Sequence, residues 1–139
     1  MRTKVTVALV VLGLMVGVGC QQQRKPKTAK AGKLQSIYFD FDRSDIKSES
    51  KPVLDGNASW LKKNAKEDIV IAGHCDERGT EEYNIALGHR RANAAKSYLS
   101  SLGVSGDRMK TRSYGEEKPA ESCHNESCWW KNRRAEFVK

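Results

Sequence analysis

Two side chains of opposite charge stand out by type and spacing. Asp76 ends a segment that begins with the apolar run Ile69-Val70-Ile71-Ala72, and Arg91 follows in a stretch that reads as helix. A strand end and a helix are rigid supports, so the separation of the two groups is fixed. Arginine offers a planar fork to a carboxylate, and aspartate accepts from an ammonium. The pair suits a zwitterion carrying both groups on one carbon, each charge-assisted bond contributing about 1.5–3 kcal/mol. On the helix, Asn84, Leu87, Gly88 and Arg91 are three, four and seven residues apart and share one face. The competing use of the same residues is an internal Asp76–Arg91 ion pair pinning strand to helix.

Other chemistry is weaker. His74-Cys75-Asp76 contains the parts of a cysteine hydrolase. Neighbours on a strand point to opposite faces, however, so His74 cannot act as base to Cys75, and a dyad would need His89 or His124. Cys123, His124 and Cys128 are potential zinc ligands, but their spacing matches no common structural site. The reading is therefore a binding protein and not an enzyme, with no metal and no cofactor. Trp129-Trp130 reads as one ring in the core and one at the surface.

The elements that must hold these groups are legible in the pattern. Ile37, Phe39 and Phe41 alternate with Tyr38, Asp40 and Asp42, a strand with its Phe side inward. Asp40 then faces away from the core and reads as a structural acceptor. Ser50 and Pro52 open a helix whose stripe is Leu54, Ala58, Leu61 and Ala65. Ile69 to His74 is apolar enough for a central strand. Gly79-Thr80 turns into a long helix, with Glu81 and Glu82 at its positive end and Gly103 closing it. Arg90 falls on its solvated face. Met109 to Tyr114 and Ala135 to Val138 are further strands, with a short helical piece at Trp129 to Arg133 between them. The order β-α-β-α-β-β predicts an α/β (α+β) two-layer sandwich, helices on one face of a mixed sheet.

Of 139 residues, the first 33 carry seven of the 25 Lys and Arg and none of the 17 Asp and Glu. From Leu34 onward the remaining 18 basic residues face 17 acidic ones, a net of +1. The overall charge of +8 is thus a property of the N-terminal part, and nucleic-acid binding loses its support. Arg2 and Lys4 precede a short apolar run, Val5 to Val16, as in an export signal. Gly17-Val18-Gly19-Cys20 resembles a lipobox, although Gly17 stands where leucine is usual. The expected organisation is a signal peptide at 1–19, a lipidated Cys20 with a basic tether at 20–33, and one domain at 34–139. A tether of this length reaches about 45 Å when stretched, at ~3.3–3.6 Å per residue.

Four segments in order carry a family resemblance: Tyr38-Phe39-Asp40-Phe41-Asp42; Asp76-Glu77-Arg78-Gly79-Thr80 with Glu82-Tyr83-Asn84 and Arg90-Arg91-Ala92; Ser113-Tyr114-Gly115 with Lys118-Pro119; and Asn132-Arg133-Arg134-Ala135. The chain resembles the peptidoglycan-associated lipoproteins, a branch of the OmpA-like peptidoglycan-binding family. The resemblance implies that the zwitterion is the free amino-acid end of meso-diaminopimelate in a peptidoglycan stem peptide. Asp76 would take its ammonium and Arg91 its carboxylate, with Phe41, Asp42 and Leu87 completing the pocket. The roles of Arg133 and Arg134 stay open. It also implies an outer-membrane lipoprotein on the periplasmic face, anchored by acyl chains on Cys20, working in a Tol-Pal-type system with a TolB-like partner in envelope integrity and cell division. The alternative is another wall-binding lipoprotein of the family without Tol partners. In an oxidising periplasm Cys123 and Cys128 would pair, leaving Cys75 free, and closing so small a loop contributes about 2 kcal/mol. On this reading, removing Asp76 or Arg91 abolishes wall binding and leaves the fold largely intact.

Overall fold

The structure is a computed structural model and describes residues 33–139. The expected signal peptide, Cys20 and nearly all of the tether lie outside the described residues. The elements are β1 (Ile37–Tyr38), α1 (Lys51–Lys63), β2 (Ile69–His74), α2 (Glu81–Ser101), β3 (Met109–Gly115), α3 (Glu126–Asn132) and β4 (Arg134–Val138). The sheet order is β1-β4-β2-β3. β4 runs antiparallel to both β1 and β2, whereas β2 and β3 are parallel. A parallel pair needs a crossover, which α2 supplies. The mixed sheet with helices packed on it is the architecture expected from the sequence pattern.

The core forms because each element contributes one apolar face. Ile37, Ile69, Ile71, Met109, Ala135 and Phe137 of the sheet meet Leu54, Ala58 and Leu61 of α1 and Ala92, Ala95 and Leu99 of α2. Along β2 the odd positions meet the helices, and Gly73 lies directly under Gly88 of α2. A Cβ on Gly73 would stand 1.8 Å from the Gly88 carbonyl oxygen, so the helix approaches the sheet here only because both side chains are absent. Helix ends are capped locally. The Thr80 hydroxyl accepts from the Tyr83 N–H, and Asn125 does the same for Ser127. Where α1 ends, Arg108 donates to the carbonyl of Leu61 in its last turn and to those of Asn64 and Glu67 just beyond it, at 3.0, 2.8 and 2.6 Å.

Three sequence expectations need correction. Phe41 does not continue the inward alternation of Ile37 and Phe39; it is 54% exposed. Strand pairing ends early, and the backbone turns at Asp42, whose φ is +56°, carrying Phe41 out of the sheet. Helix α1 stops at Lys63, so Ala65 falls beyond the stripe and is exposed. Neither tryptophan enters the core: Trp129 is half-buried, and Trp130 lies exposed against Tyr38, ring centroids 5.2 Å apart. Among the described residues, no helix is long and apolar enough to cross a membrane.

Candidate functional site

A cleft of about 220 Å³ opens between the turn after Tyr38, the C-terminal end of β2 and the N-terminal half of α2. Phe41, Asp42, Asp76, Leu87 and Arg91, separated by up to fifty positions in the chain, all line it. Phe41 forms the exposed rim, and Leu87 is buried in the wall. Asp42 sits at the mouth, where its carboxylate accepts from the Tyr83 hydroxyl. Asn84, Arg78 and Gly79 complete the lining, together with Cys75 and Tyr83.

Asp76 and Arg91 share the cleft, yet no hydrogen bond or ion pair joins them. The Arg91 guanidinium, with no exposed surface, donates instead to main-chain carbonyls: Arg43 at 2.9 Å, His74 at 2.8 Å and Asp40 at 3.1 Å. It thus ties the 40–43 turn to the end of β2 from α2. Burial lowers its pKa below the usual arginine value. An arginine has five N–H donors, so three bonds leave two uncommitted. The internal Asp76–Arg91 ion pair is absent. Its three carbonyl contacts, the one to His74 buried, speak against the expectation that Arg91 can be removed without cost to the fold.

Asp76, only 3% exposed, is held by two other arginines. Arg78 grips it through Nε to Oδ1 at 3.0 Å and Nη2 to Oδ2 at 2.7 Å, and the Arg78 backbone N–H adds a third bond at 3.1 Å. Arg133 donates to Oδ2 at 3.2 Å. Burial pushes the Asp76 carboxyl up, but the Arg78 and Arg133 hydrogen bonds outweigh it and hold the group below the usual carboxylate range. Arg133 also donates to the Phe39 carbonyl at 3.0 Å and pairs with Glu126. The structure therefore gives Arg133 a bracing role behind Asp76, whereas Arg134 pairs with Glu136 on the sheet. Asp40 accepts from Lys47 through its side chain and from Arg91 through its carbonyl.

Sequence reasoning gave no role to two residues of this site, Arg78 and Asn84. Arg78 lies two positions after Asp76, the spacing of an aspartate turn in which the side chain bonds a later backbone N–H, and that was the available signal. Gly79, at φ +107°, continues the same turn. Asn84 is buried and its amide bonds the carbonyls of Asp76 at 3.3 Å and Arg78 at 3.1 Å, fixing the turn to α2. Nothing in its spacing distinguished it from a helix-face asparagine.

Comparison with known proteins agrees with the architecture. The OmpA family model matches residues 38–133. The chain belongs to the OmpA family. Within it, a peptidoglycan-associated lipoprotein of Rhizobium meliloti (strain 1021) is 48% identical over 127 residues, covering 91% of this chain and 71% of that protein. A protein of the same description from Pasteurella multocida is 50% identical over 100 residues, covering 72% and 67%. The crystal structure of the peptidoglycan-associated lipoprotein from Burkholderia pseudomallei superposes with a TM-score of 0.72 at 45% identity, over 74% of this chain and 87% of that one. These relatives place the chain in the peptidoglycan-associated lipoprotein branch of the family, the branch its four motif segments resemble.

The remaining reactive groups are quiet. Cys75 is buried, its thiol donates to the Asn84 carbonyl at 3.3 Å, and burial pushes its pKa up to about 11. His74 is buried on the opposite face of β2, its ring stacked on Tyr114 at 5.4 Å. Cys123 and Cys128 are bonded to each other, their Cα atoms 5.6 Å apart. Among the described residues, no group of three or more His, Cys, Asp or Glu is placed to hold a metal ion.

Proposed function

We propose that this chain binds peptidoglycan noncovalently through the amino-acid end of diaminopimelate in the stem peptide, and that it is a lipoprotein tethering the outer membrane to the wall from the periplasmic face. One observation carries the reading: Asp76, in the turn after β2, and Arg91, on α2, line one cleft without pairing with each other. The ligand's carboxylate takes the two uncommitted Arg91 N–H groups, and its ammonium takes Asp76. Phe41 and Leu87 cover the apolar stem of the ligand, and Asp42 borders the mouth. Relatives named peptidoglycan-associated lipoproteins support the same ligand class. Anchoring through Cys20, a TolB-like partner and a part in cell division belong to the proposal by family resemblance. The chain is not an enzyme on this reading: Cys75 keeps its proton at neutral pH and faces no histidine base in the cleft.

The test is sedimentation of the protein with purified sacculi. Wild type should sediment with the wall and release no muropeptides. Asp76→Asn keeps the shape but removes the charge; it should abolish sedimentation at a cost of about 2–4 kcal/mol of stability. Release of muropeptides would reveal an enzyme, and normal sedimentation of the folded variant would refute the clamp.

A further inference from the structure

The carboxylate that the proposed ligand needs is already occupied. Both Asp76 oxygens accept from Arg78, and the contact is a fork with a third bond from the Arg78 backbone. The Arg78 side chain is 30% exposed, whereas that of Asp76 is 3% exposed, so Arg78 stands on the solvent side of the acid. Its guanidinium is sandwiched between two rings, 3.8 Å from the Phe41 centroid and 4.1 Å from that of Trp129. A second carboxylate, Glu126, lies 3.8 Å from Arg78 Nη2 and is largely exposed.

We propose that Arg78 is an internal competitor in the cleft, a cation that holds Asp76 until a ligand ammonium displaces it, so that only a ligand that also engages Arg91 binds tightly. The inference rests on the zwitterion reading above. An incoming ammonium without a carboxylate exchanges one charge-assisted contact for another and loses the bidentate geometry, so it gains little. A zwitterion makes the same exchange and in addition fills the two free donors of Arg91. The internal competitor lowers the affinity of every ligand by the same factor, and the bonds to Arg91 decide which ligand still binds. The Phe41–Trp129 sandwich already holds the Arg78 plane, and Glu126, which Arg133 also grips, lies beside it to share the charge once Asp76 is given up. Arg133 remains on Asp76 throughout and keeps the acid from being left unpaired.

The experiment is isothermal titration calorimetry on the full chain in detergent with two tripeptides, L-Ala-γ-D-Glu-meso-diaminopimelate and L-Ala-γ-D-Glu-L-Lys. They differ by one carboxylate beside the terminal ammonium. Wild type should favour the diaminopimelate peptide. In Arg78→Gln, both peptides should gain about tenfold in affinity with the preference ratio unchanged, as expected when one charged competitor common to both is removed. Arg78→Lys, which restores a cation without the fork, should give intermediate affinities. Wild-type affinity for both peptides in both variants overturns the proposal. So does loss of both peptides by either variant with its urea midpoint retained, since Arg78 would then grip the ligand directly. If wild type binds neither peptide, the underlying zwitterion reading fails, and this inference falls with it.

Discussion

Replacing Arg91 by alanine should unfold the site as well as empty it, and the magnitude can be worked from its contacts. The side chain has no exposed surface and serves the carbonyls of Asp40, Arg43 and His74. A hydrogen bond to a charged group contributes about 1.5–3 kcal/mol, but three bonds from one guanidinium are not additive, and burying the charge cost part of the gain. Alanine leaves the buried His74 carbonyl and two part-buried ones without their charged donor, together with a side-chain-sized void, so the expected loss is about 3–5 kcal/mol. At roughly 4–8 °C per kcal/mol for a domain of this size, the thermal midpoint should fall by more than about 12 °C. Lysine has a compact ammonium that cannot span three carbonyls and should recover less than half of the loss. Circular dichroism melts and urea titrations measure the stability, and sacculus sedimentation measures the binding. A midpoint within about 3 °C of wild type for Arg91→Ala would refute the reasoning, because the 40–43 turn would then be held by something else.

Three further predictions follow from other parts of the fold. Gly73→Ala puts a methyl 1.8 Å from the Gly88 carbonyl oxygen, backbone that cannot rotate away, and should cost about 3 kcal/mol or more in urea unfolding; a near-neutral effect would mean that α2 can lift from the sheet freely. His74 has its pKa lowered to about 4, chiefly by burial, so the unfolded chain takes up the proton first as pH falls. Stability should be complete above about pH 6.5 and decline toward pH 4, by on the order of 3 kcal/mol from this group, with the decline reduced in a folded His74→Gln variant. Cys75 should resist iodoacetamide in the native protein and react on unfolding, whereas opening the Cys123–Cys128 loop by serine substitution should cost no more than about 2 kcal/mol; rapid native labelling of Cys75 would contradict its burial.

The sequence by itself determined which faces are apolar, and with them most of the fold. The continuous apolar run opening Ile69 to His74, the helical stripe ending at Leu102-Gly103 and the turn at Gly79-Thr80 are local signals, set by backbone geometry and solvent exclusion. The same periodicity put Asn84, Leu87 and Arg91 on one side of α2, and four motif segments were enough to resemble the family that the comparisons show. Where Phe41 went was not local: its alternation pointed inward, and only the early end of pairing to β4 and the turn at Asp42 sent it to the cleft rim. The partners of the charges were decided by tertiary structure for the same reason. An arginine pairs with whatever acceptor its long side chain can reach once the chain is packed. Glycines at 73 and 88 brought α2 close enough for Arg91 to reach the His74 carbonyl, while the turn through Gly79 folded Arg78 back over Asp76. Spacing along the chain names the charged groups; distance through the fold decides which of them neutralise each other and which remain free for a ligand.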